Sequence, residues 1–275
     1  MKKNIPQILY HYTRLENLTS IIRREEKDSM PELVFWLTNF KLMNDISEGG
    51  YIRKVLLYSD PKFSYTKIPD MYVLSLCKEH NNLSMWKEYA DNVSGIVLAL
   101  DPYVLTQSKY RCMQELYKCS YDEKKNKKCI TQIAKDVNQY IGSKAWEDKV
   151  LQTSHYAKEH PEYIKDRKLI LTDKYSALFQ KFAPILALKK QCYSYENEWR
   201  LIYNNYTSDL LHFRINDNHR MIEYWEFHAN IEALKGIYVG SNNHKDTINS
   251  IRKYLNNIGL ETNIYIKKVN LPYRK

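Results

Sequence analysis

The sequence predicts an α+β fold: mixed or antiparallel sheets that form a β-rich shell, interrupted by a central helical insertion. Strand-like and helix-like patterns alternate irregularly over the 275 residues, whereas a doubly wound α/β protein would show a regular alternation. Residues 121–190 are largely helical in pattern, and strand patterns lie on both sides of them. No repeat or low-complexity linker divides the chain, so residues 1–275 are expected to form a single domain.

The part of the chain before residue 121 carries four strand patterns. They lie at residues 7–12, 32–38, 71–77 and 95–100. The last pattern is apolar throughout, which indicates a strand that is buried on both faces. Thr13 and Glu16 have the spacing of a capping box, so a helix is expected to begin directly after the first strand. A second, short helix fits residues 83–90.

After residue 190 the pattern returns to strands. They lie at residues 198–203, 212–215, 222–228, 236–239 and 263–269. A helix pattern at residues 245–258 follows a turn at Gly240 and Ser241. The chain is therefore expected to close as strand, turn, helix and strand.

The composition favours anionic partners without identifying one. The formal net charge of +10 attracts phosphate-bearing molecules such as nucleotides and nucleic acids. The densest run of lysines, at residues 124–128, is also typical of a solvated helix face. The 24 tyrosines suit half-buried strands, clefts and stacking surfaces alike. A nucleotide or small-molecule ligand is expected, and nucleic acid stays open as a partner.

The cysteines and the N-terminal segment indicate a cytoplasmic protein. The five cysteines form neither a CxxC pair nor an even disulfide framework, so reduced thiols are expected. The segment MKKNIPQILYHYT lacks the apolar core of a leader, and no stretch reaches the about 18 apolar residues of a membrane span. The eight histidines are dispersed and none pairs with a cysteine at metal-ligand spacing, so no metal site is predicted.

Four short polar clusters are the candidates for a functional site. They are Tyr10-His11-Tyr12-Thr13, the loop at Asn44-Asp45, Ser75 with the following Trp86 and Tyr89, and finally Glu196, Glu198 and Arg200. Each cluster also fits a structural role. The spacing of Trp86 and Tyr89 suits a helix packed on a core. Glu196 and Glu198 would share one face of a strand, and a solvated edge with Arg200 as partner explains them as well as a catalytic pair does.

In this order, the four clusters resemble the bacterial family catalogued as domain of unknown function 2971. The shared elements are a YHYT segment, an N-D-x-x-E loop, an M-W-x-x-Y-A segment followed by glycine, an E-x-E-W-R segment, and a closing strand, glycine turn, helix and strand. The resemblance covers nearly the whole chain except residues 121–190, which are interpreted as a variable helical insertion. The family label implies no settled activity.

A weaker resemblance links the first and last clusters to the ADP-ribosyltransferase layout. In that superfamily NAD lies in a cleft between two small sheets, so the resemblance implies NAD as a substrate and no tightly bound cofactor. Breaking the bond between nicotinamide and ribose develops positive charge, which a preorganised carboxylate stabilises. The resemblance implies that Glu198 supplies this carboxylate, that Glu196 orients the acceptor and that His11 holds a ribose.

The same resemblance implies a set of substrate-binding residues drawn from all four clusters. They are Tyr10, Thr13, Asn44, Asp45, Ser75, Trp86, Tyr89 and Arg200. Thr13 would hold a ribose together with His11, and Tyr89 or Trp86 would form the aromatic shelf for nicotinamide. The Ser-Thr-Ser segment of that superfamily is missing here, because the third strand offers only Ser75 near its end.

Three functions follow from these observations. The first is an NAD-consuming transferase or glycohydrolase, acting as a bacterial toxin or anti-phage effector, with a possible partner protein from the same operon. The second is a nucleic-acid-binding or nucleic-acid-cleaving effector, which the charge and the tyrosines suggest. The third is a non-enzymatic recognition or sensor module in which the polar clusters form a structural hydrogen-bond network. The first function requires that His11, Tyr89 and Glu198 meet around one cleft, and a carboxylate sealed in a salt-linked interior would contradict it.

Overall fold

The computed structural model shows an open, mixed sheet with helices packed on it, which confirms the predicted α+β class. The structure describes residues 4–26, 29–43, 50–52, 54–55, 70–107, 114–140, 182–204, 211–215, 219–260 and 264–271. Within these ranges the strands are β1 (Leu9–Thr13), β2 (Ile22–Arg23), β3 (Glu32–Asn39), β4 (Met71–Cys77), β5 (Ile96–Leu100), β6 (Gln114–Lys118), β7 (Glu198–Asn204), β8 (Leu211–Ile215), β9 (Met221–Asn230), β10 (Leu234–Val239) and β11 (Tyr265–Lys268). The named α-helices are α1 (Leu18–Ile21), α2 (Leu83–Tyr89), α3 (Pro102–Leu105), α4 (Glu123–Tyr140) and α5 (Thr247–Asn257).

The sheet branches at β4. One edge of β4 pairs along its whole length with β7, which in turn pairs with β6. The other edge is shared, because β1 pairs with it through Tyr10 and Cys77, whereas β3 pairs with it through Thr38 and Val73. One wing then continues as β1, β5, β10 and β11, and the other as β3, β9 and β8. Among these pairs β10 and β11 are parallel and the rest are antiparallel.

The two faces of the branched sheet have different surroundings. The core face carries the largest apolar cluster, to which both wings contribute, for example through Phe35, Leu98 and Phe227. The opposite face, hereafter the ionic face, carries Cys77 and Glu198, which lie opposite each other on β4 and β7. Because side chains alternate along a strand, the cross-strand register assigns every residue of β1, β4 and β7 to one of these faces.

The predicted capping box at the start of the chain is wrong. Thr13 is the last residue of β1 and pairs with Ile96 in the ladder. Its hydroxyl oxygen accepts a hydrogen bond from Nδ2 of Asn17 at 2.9 Å, and the following 3₁₀ turn begins after Arg14 without a side-chain cap. The strand therefore extends one residue further than the pattern indicated, and α1 is only a single turn.

The central insertion is helical where the structure describes it. Helix α4 occupies its first part, and two 3₁₀ segments, Ala183–Ala187 and Gln191–Glu196, lead from its last part into β7. Residues 141–181 lie outside the described ranges. Within those ranges no helix combines the length and the apolar character needed to cross a bilayer. The four described cysteines are free thiols.

Candidate functional site

A cluster of four buried charged side chains, hereafter the ion network, lies on the ionic face at the start of β7. Its members are Lys189, Glu196, Glu198 and Arg200, and each of them is at most 4 % exposed. Charged side chains are rarely buried to this extent unless they are paired. The network is therefore the strongest polar feature that the described residues bring together from the predicted site.

The contacts within the network centre on Glu198. Arg200 binds both of its carboxylate oxygens, with Nε 2.9 Å from Oε1 and Nη2 3.1 Å from Oε2. Nζ of Lys189 lies 2.8 Å from Oε2 of Glu198 and also donates to Glu196. Arg200 donates a further hydrogen bond to the carbonyl of Leu186. Two cations thus face two carboxylates in an interior where an unpaired charge would be costly.

Electrostatics keep Glu198 ionised in this interior. Burial alone would raise the pKa of its carboxyl, but Arg200 and Lys189 outweigh burial and lower that pKa to about 2. Burial alone would lower the pKa of Lys189, yet the neighbouring Glu198 carboxylate holds that pKa above its ordinary value. Burial raises the pKa of Glu196 against the effect of Lys189. The carboxylate predicted to stabilise developing charge is already neutralised by two resident cations.

A turn and several hydrogen bonds fix the backbone around the network, and a cysteine side chain contacts it. Asn197 adopts the left-handed conformation, with φ of 43°, and so turns the chain from the 3₁₀ segment Gln191–Glu196 into β7. The amide of Lys189 donates to the carbonyl of Ser120 at 2.9 Å, and Nδ2 of Asn126 donates to the carbonyl of Lys189 at 3.0 Å. The Sγ atom of Cys119 lies 3.7 Å from Oε2 of Glu198.

Tyr89 is the member of the predicted site that links the network to the surface. It ends α2, its side chain is half-exposed, and its hydroxyl donates to Oε1 of Glu196 at 3.3 Å. The structure thus brings four of the predicted site residues together: Glu196, Glu198, Arg200 and Tyr89. The ring of Tyr89 does not reach an open carboxylate, because both glutamates are buried.

His11 lies on the core face, away from Glu198. Tyr10 is opposite Cys77, and Cys77 is opposite Glu198, so the residue after Tyr10 points to the other side of the sheet. Nδ1 of His11 is 3.1 Å from the carbonyl oxygen of Ser75, and its ring meets the ring of Phe35 edge-on at 5.3 Å. Burial lowers the pKa of this imidazole. His11 therefore fills the fork between β1 and β3, as a neutral donor to a backbone carbonyl.

The remaining predicted residues differ in their surroundings. Ser75 is the exposed residue of an otherwise buried β4 and lies opposite Arg200 on the ionic face, whereas Thr13 is buried beside Asn17. Trp86 is fully buried, and its Nε1–H donates to the carbonyl of His80 at 2.7 Å, so it belongs to the core and is not available as a shelf. Asn44 and Asp45 lie outside the described residues.

A second feature of the ionic face, hereafter the aromatic cluster, went unpredicted apart from Tyr10. Its members are Tyr10, His80, Tyr238, Tyr265 and Lys267. The rings of His80 and Tyr238 stack with centroids 4.1 Å apart and an interplanar angle of 20°. Tyr10 lies 5.2 Å from His80, Tyr265 lies 5.5 Å from Tyr238, and Nζ of Lys267 is 5.1 Å from the centre of the Tyr265 ring. The four rings are partly exposed and the lysine is exposed.

The sheet register builds the aromatic cluster from distant segments. In the parallel pair of β10 and β11, Gly236 lies opposite Tyr265 and Tyr238 lies opposite Lys267. A side chain at Gly236 would collide with the Tyr265 ring, since a Cβ atom there would be 2.2 Å from a ring carbon. His80 lies in the loop after β4. Trp86 holds this loop in place by donating a hydrogen bond to the carbonyl of His80.

Comparison with known protein families finds a match for one segment of the chain. Residues 85–201 match the model of a family described as "Protein of unknown function (DUF2971)". The predicted family resemblance is confirmed for this segment, which is less than half of the chain and includes residues 121–190, for which no resemblance was predicted. The matched segment runs from α2 into β7 and contains the whole ion network, whereas the aromatic cluster lies outside it. Neither the curated proteins nor the solved structures yielded a match.

Proposed function

We propose that this DUF2971 protein is a recognition module that binds a nucleotide, or a similar planar anion, at the aromatic cluster. The observation that carries the proposal is the partly exposed stack of His80 on Tyr238, with the exposed ammonium group of Lys267 on the neighbouring strand. In this proposal the ion network holds the fold and takes no part in a reaction.

The aromatic cluster has the two components that nucleotide recognition needs. An exposed ring offers a face on which a base can stack, and such stacking contributes about 1–3 kcal/mol per base. Burial and the nearby Lys267 lower the pKa of His80, so its imidazole is neutral at pH 7. The Lys267 ammonium provides a point charge for a phosphate, and the net charge of +10 attracts anions to the protein as a whole.

The geometry of the ion network argues for a structural role. A carboxylate that stabilises developing charge must contact the reacting sugar, yet Glu198 is buried and already bonded to Arg200 and Lys189. His11, which would hold the ribose, lies on the opposite face of the sheet. NAD cleavage stays a prediction that depends on the resemblance, and the toxin and anti-phage roles depend on it in turn. A nucleic-acid role likewise stays a prediction from charge.

Calorimetric titration of the full chain with ATP, ADP-ribose, NAD, adenosine and ribose 5-phosphate tests this proposal. Replacing the stacking ring by Tyr238→Leu should weaken the binding of the three adenine nucleotides at least about tenfold, which corresponds to about 1.4 kcal/mol. Lys267→Gln should weaken nucleotide binding but leave adenosine binding unchanged. The matched control is Tyr103→Leu, which removes a tyrosine that is 55 % exposed on α3, and it should bind like the wild type.

Two results would contradict the proposal. One is the absence of saturable nucleotide binding by the wild-type protein at millimolar concentration. The other is unchanged nucleotide binding by both Tyr238→Leu and Lys267→Gln. Release of nicotinamide from NAD during the titration, measured by chromatography, would instead support the enzymatic alternative, particularly if Glu198→Gln abolished the release while remaining folded.

A further inference from the structure

Three potential metal ligands converge on the other wing of the sheet, away from both clusters described above. Glu25, Glu32 and His228 each offer a ligand atom, and these atoms all lie within 4.8 Å of one another. Glu25 and Glu32 are close in the sequence, but His228 follows 196 residues after Glu32, and no sequence spacing joins it to them, which is why sequence analysis predicted no metal site.

The strand register explains the convergence. His228 on β9 lies opposite Val34 on β3, and Glu32 is two residues before Val34. Side chains two residues apart share a face, so Glu32 and His228 are diagonal neighbours on one side of the sheet. Arg23 on β2 lies opposite Glu32, and the chain then leaves the sheet with the exposed Glu25 close by.

We propose that Glu25, Glu32 and His228 bind a divalent transition-metal ion, with Zn²⁺ as the first candidate. An imidazole nitrogen with two carboxylate oxygens is a ligand set that suits Zn²⁺, whereas Mg²⁺ and Ca²⁺ take oxygen ligands. Bonds of about 2.0–2.2 Å in a tetrahedral site separate ligand atoms by about 3.3–3.6 Å. Nδ1 of His228 is 3.0 Å from Oε1 of Glu32, and the three ligand atoms lie within 4.8 Å of one another. Glu25 is exposed, and its carboxylate would have to exchange its 3.5 Å contact with Nη2 of Arg23 for the metal ion.

A fourth residue, Glu226, lies near the ring nitrogen at which a metal-bound histidine usually has a hydrogen-bond acceptor. Oε2 of Glu226 lies 3.7 Å from Nε2 of His228, the ring nitrogen that faces away from Glu32. Nη2 of Arg23 holds the same oxygen at 2.8 Å, and Nε1 of Trp36 donates to the other carboxylate oxygen at 3.1 Å. A carboxylate held in this way can accept the imidazole N–H and fix the ring for metal binding.

Metal binding at this site requires a change of histidine tautomer, together with movement of the Glu25 and Glu226 carboxylates towards the His228 ring. The neutral imidazole shifts its hydrogen from Nδ1 to Nε2, where Glu226 accepts it, and the lone pair of Nδ1 then points towards Glu32 and Glu25. Three protein ligands leave one tetrahedral position for water or for an oxygen of a small ligand. The site lies on the β3–β9 wing, so it is independent of nucleotide binding at the aromatic cluster on the β1–β10 wing.

Titration of the chelator-treated full chain with Zn²⁺ and Co²⁺ tests the proposal. Competition with a chromophoric zinc indicator gives the affinity, and the visible spectrum of bound Co²⁺ reports the ligands. His228→Gln and Glu25→Gln should each weaken Zn²⁺ binding by about 100-fold, and Glu226→Gln by about tenfold. Glu26→Gln, which removes the neighbouring exposed glutamate, is the matched control and should bind like the wild type.

The outcomes separate this site from metal bound elsewhere. Because Glu25 is exposed, Glu25→Gln should fold normally, so its affinity is informative even if His228→Gln is unstable. The proposal is overturned if Glu25→Gln binds Zn²⁺ as tightly as Glu26→Gln does. It is also overturned if bound Co²⁺ shows intense thiolate charge-transfer absorption, which would assign the ion to cysteines, or if the wild type binds no Zn²⁺ at micromolar concentration.

Discussion

The ion network and the aromatic cluster lie on the same face of the sheet and differ in almost every physical property. The network consists of four charges that are at most 4 % exposed and are paired with one another. The aromatic cluster consists of partly exposed rings beside an exposed lysine. Glu196 and Glu198, which most resemble catalytic residues in the sequence, are buried and paired with cations. The residues that remain accessible to a ligand form no recognisable sequence motif.

The difference has an energetic consequence. Removing one member of a buried ion pair leaves its partner uncompensated and is strongly destabilising. Removing a partly exposed ring sacrifices contact area but leaves no charge unpaired, so its cost in stability is smaller. Substitutions in the network should therefore act on the free energy of unfolding, and substitutions in the aromatic cluster should act on binding.

The largest effect is expected for Lys189→Met. This change leaves Glu196 without its cation and leaves Glu198 with Arg200 alone, so the free energy of unfolding should fall by about 3–5 kcal/mol. Urea unfolding followed by circular dichroism measures it. The matched control is Lys190→Met at the exposed neighbouring position, which should change the free energy by less than about 0.5 kcal/mol. Equal effects of the two changes would remove the distinction between the network and the surface.

A smaller effect is expected for Trp86→Phe, which connects the two regions. Losing the indole N–H leaves the carbonyl of His80 without that donor, and the smaller ring leaves a void, so the free energy of unfolding should fall by about 1–3 kcal/mol. Nucleotide binding should also weaken, because this hydrogen bond holds the loop that carries His80.

Trp225→Phe is the control for the effect of Trp86 on binding. Trp225 is buried on β9 and stacks on Tyr203 at 5.3 Å, far from the His80 loop along the sheet. Its replacement should lower stability by a similar amount and leave nucleotide affinity unchanged. Equal loss of affinity in both variants would show that binding follows general stability and not the position of His80.

Nine of the eleven strands that the structure describes were predicted from the sequence because their periodicity is local, whereas β2 and β6 were not predicted. The apolar run at residues 95–100 indicated burial on both faces, and every residue of β5 is buried. The alternation in β7 correctly predicted Arg200 as the partner of Glu198. Glu196 does lie near both, but the prediction that it belongs to the same strand is wrong, because it ends the 3₁₀ segment before β7. In β1, the same alternation puts Tyr10 and His11 on opposite faces of the sheet, as the structure shows.

The sequence could not predict which residues of different strands lie on the same face of the sheet. Whether His11 faces Glu198 depends on the register of β1 with β4 and of β4 with β7, which joins residues 10, 77 and 198. Lys189, the cation that closes the network, lies between two 3₁₀ segments where no periodicity indicates its direction. The convergence of Glu25 with Glu32 and His228 depends on register in the same way.

The free energy of unfolding of Glu198→Gln tests the central claim most directly. An amide of nearly the same shape removes the negative charge, which leaves Arg200 without its carboxylate partner and Lys189 with Glu196 alone. We predict that urea unfolding at pH 7 will show a loss of about 3 kcal/mol or more relative to the wild type. If this variant is as stable as the wild type, the structural role of the ion network is contradicted, and Glu198 is again a candidate catalytic residue.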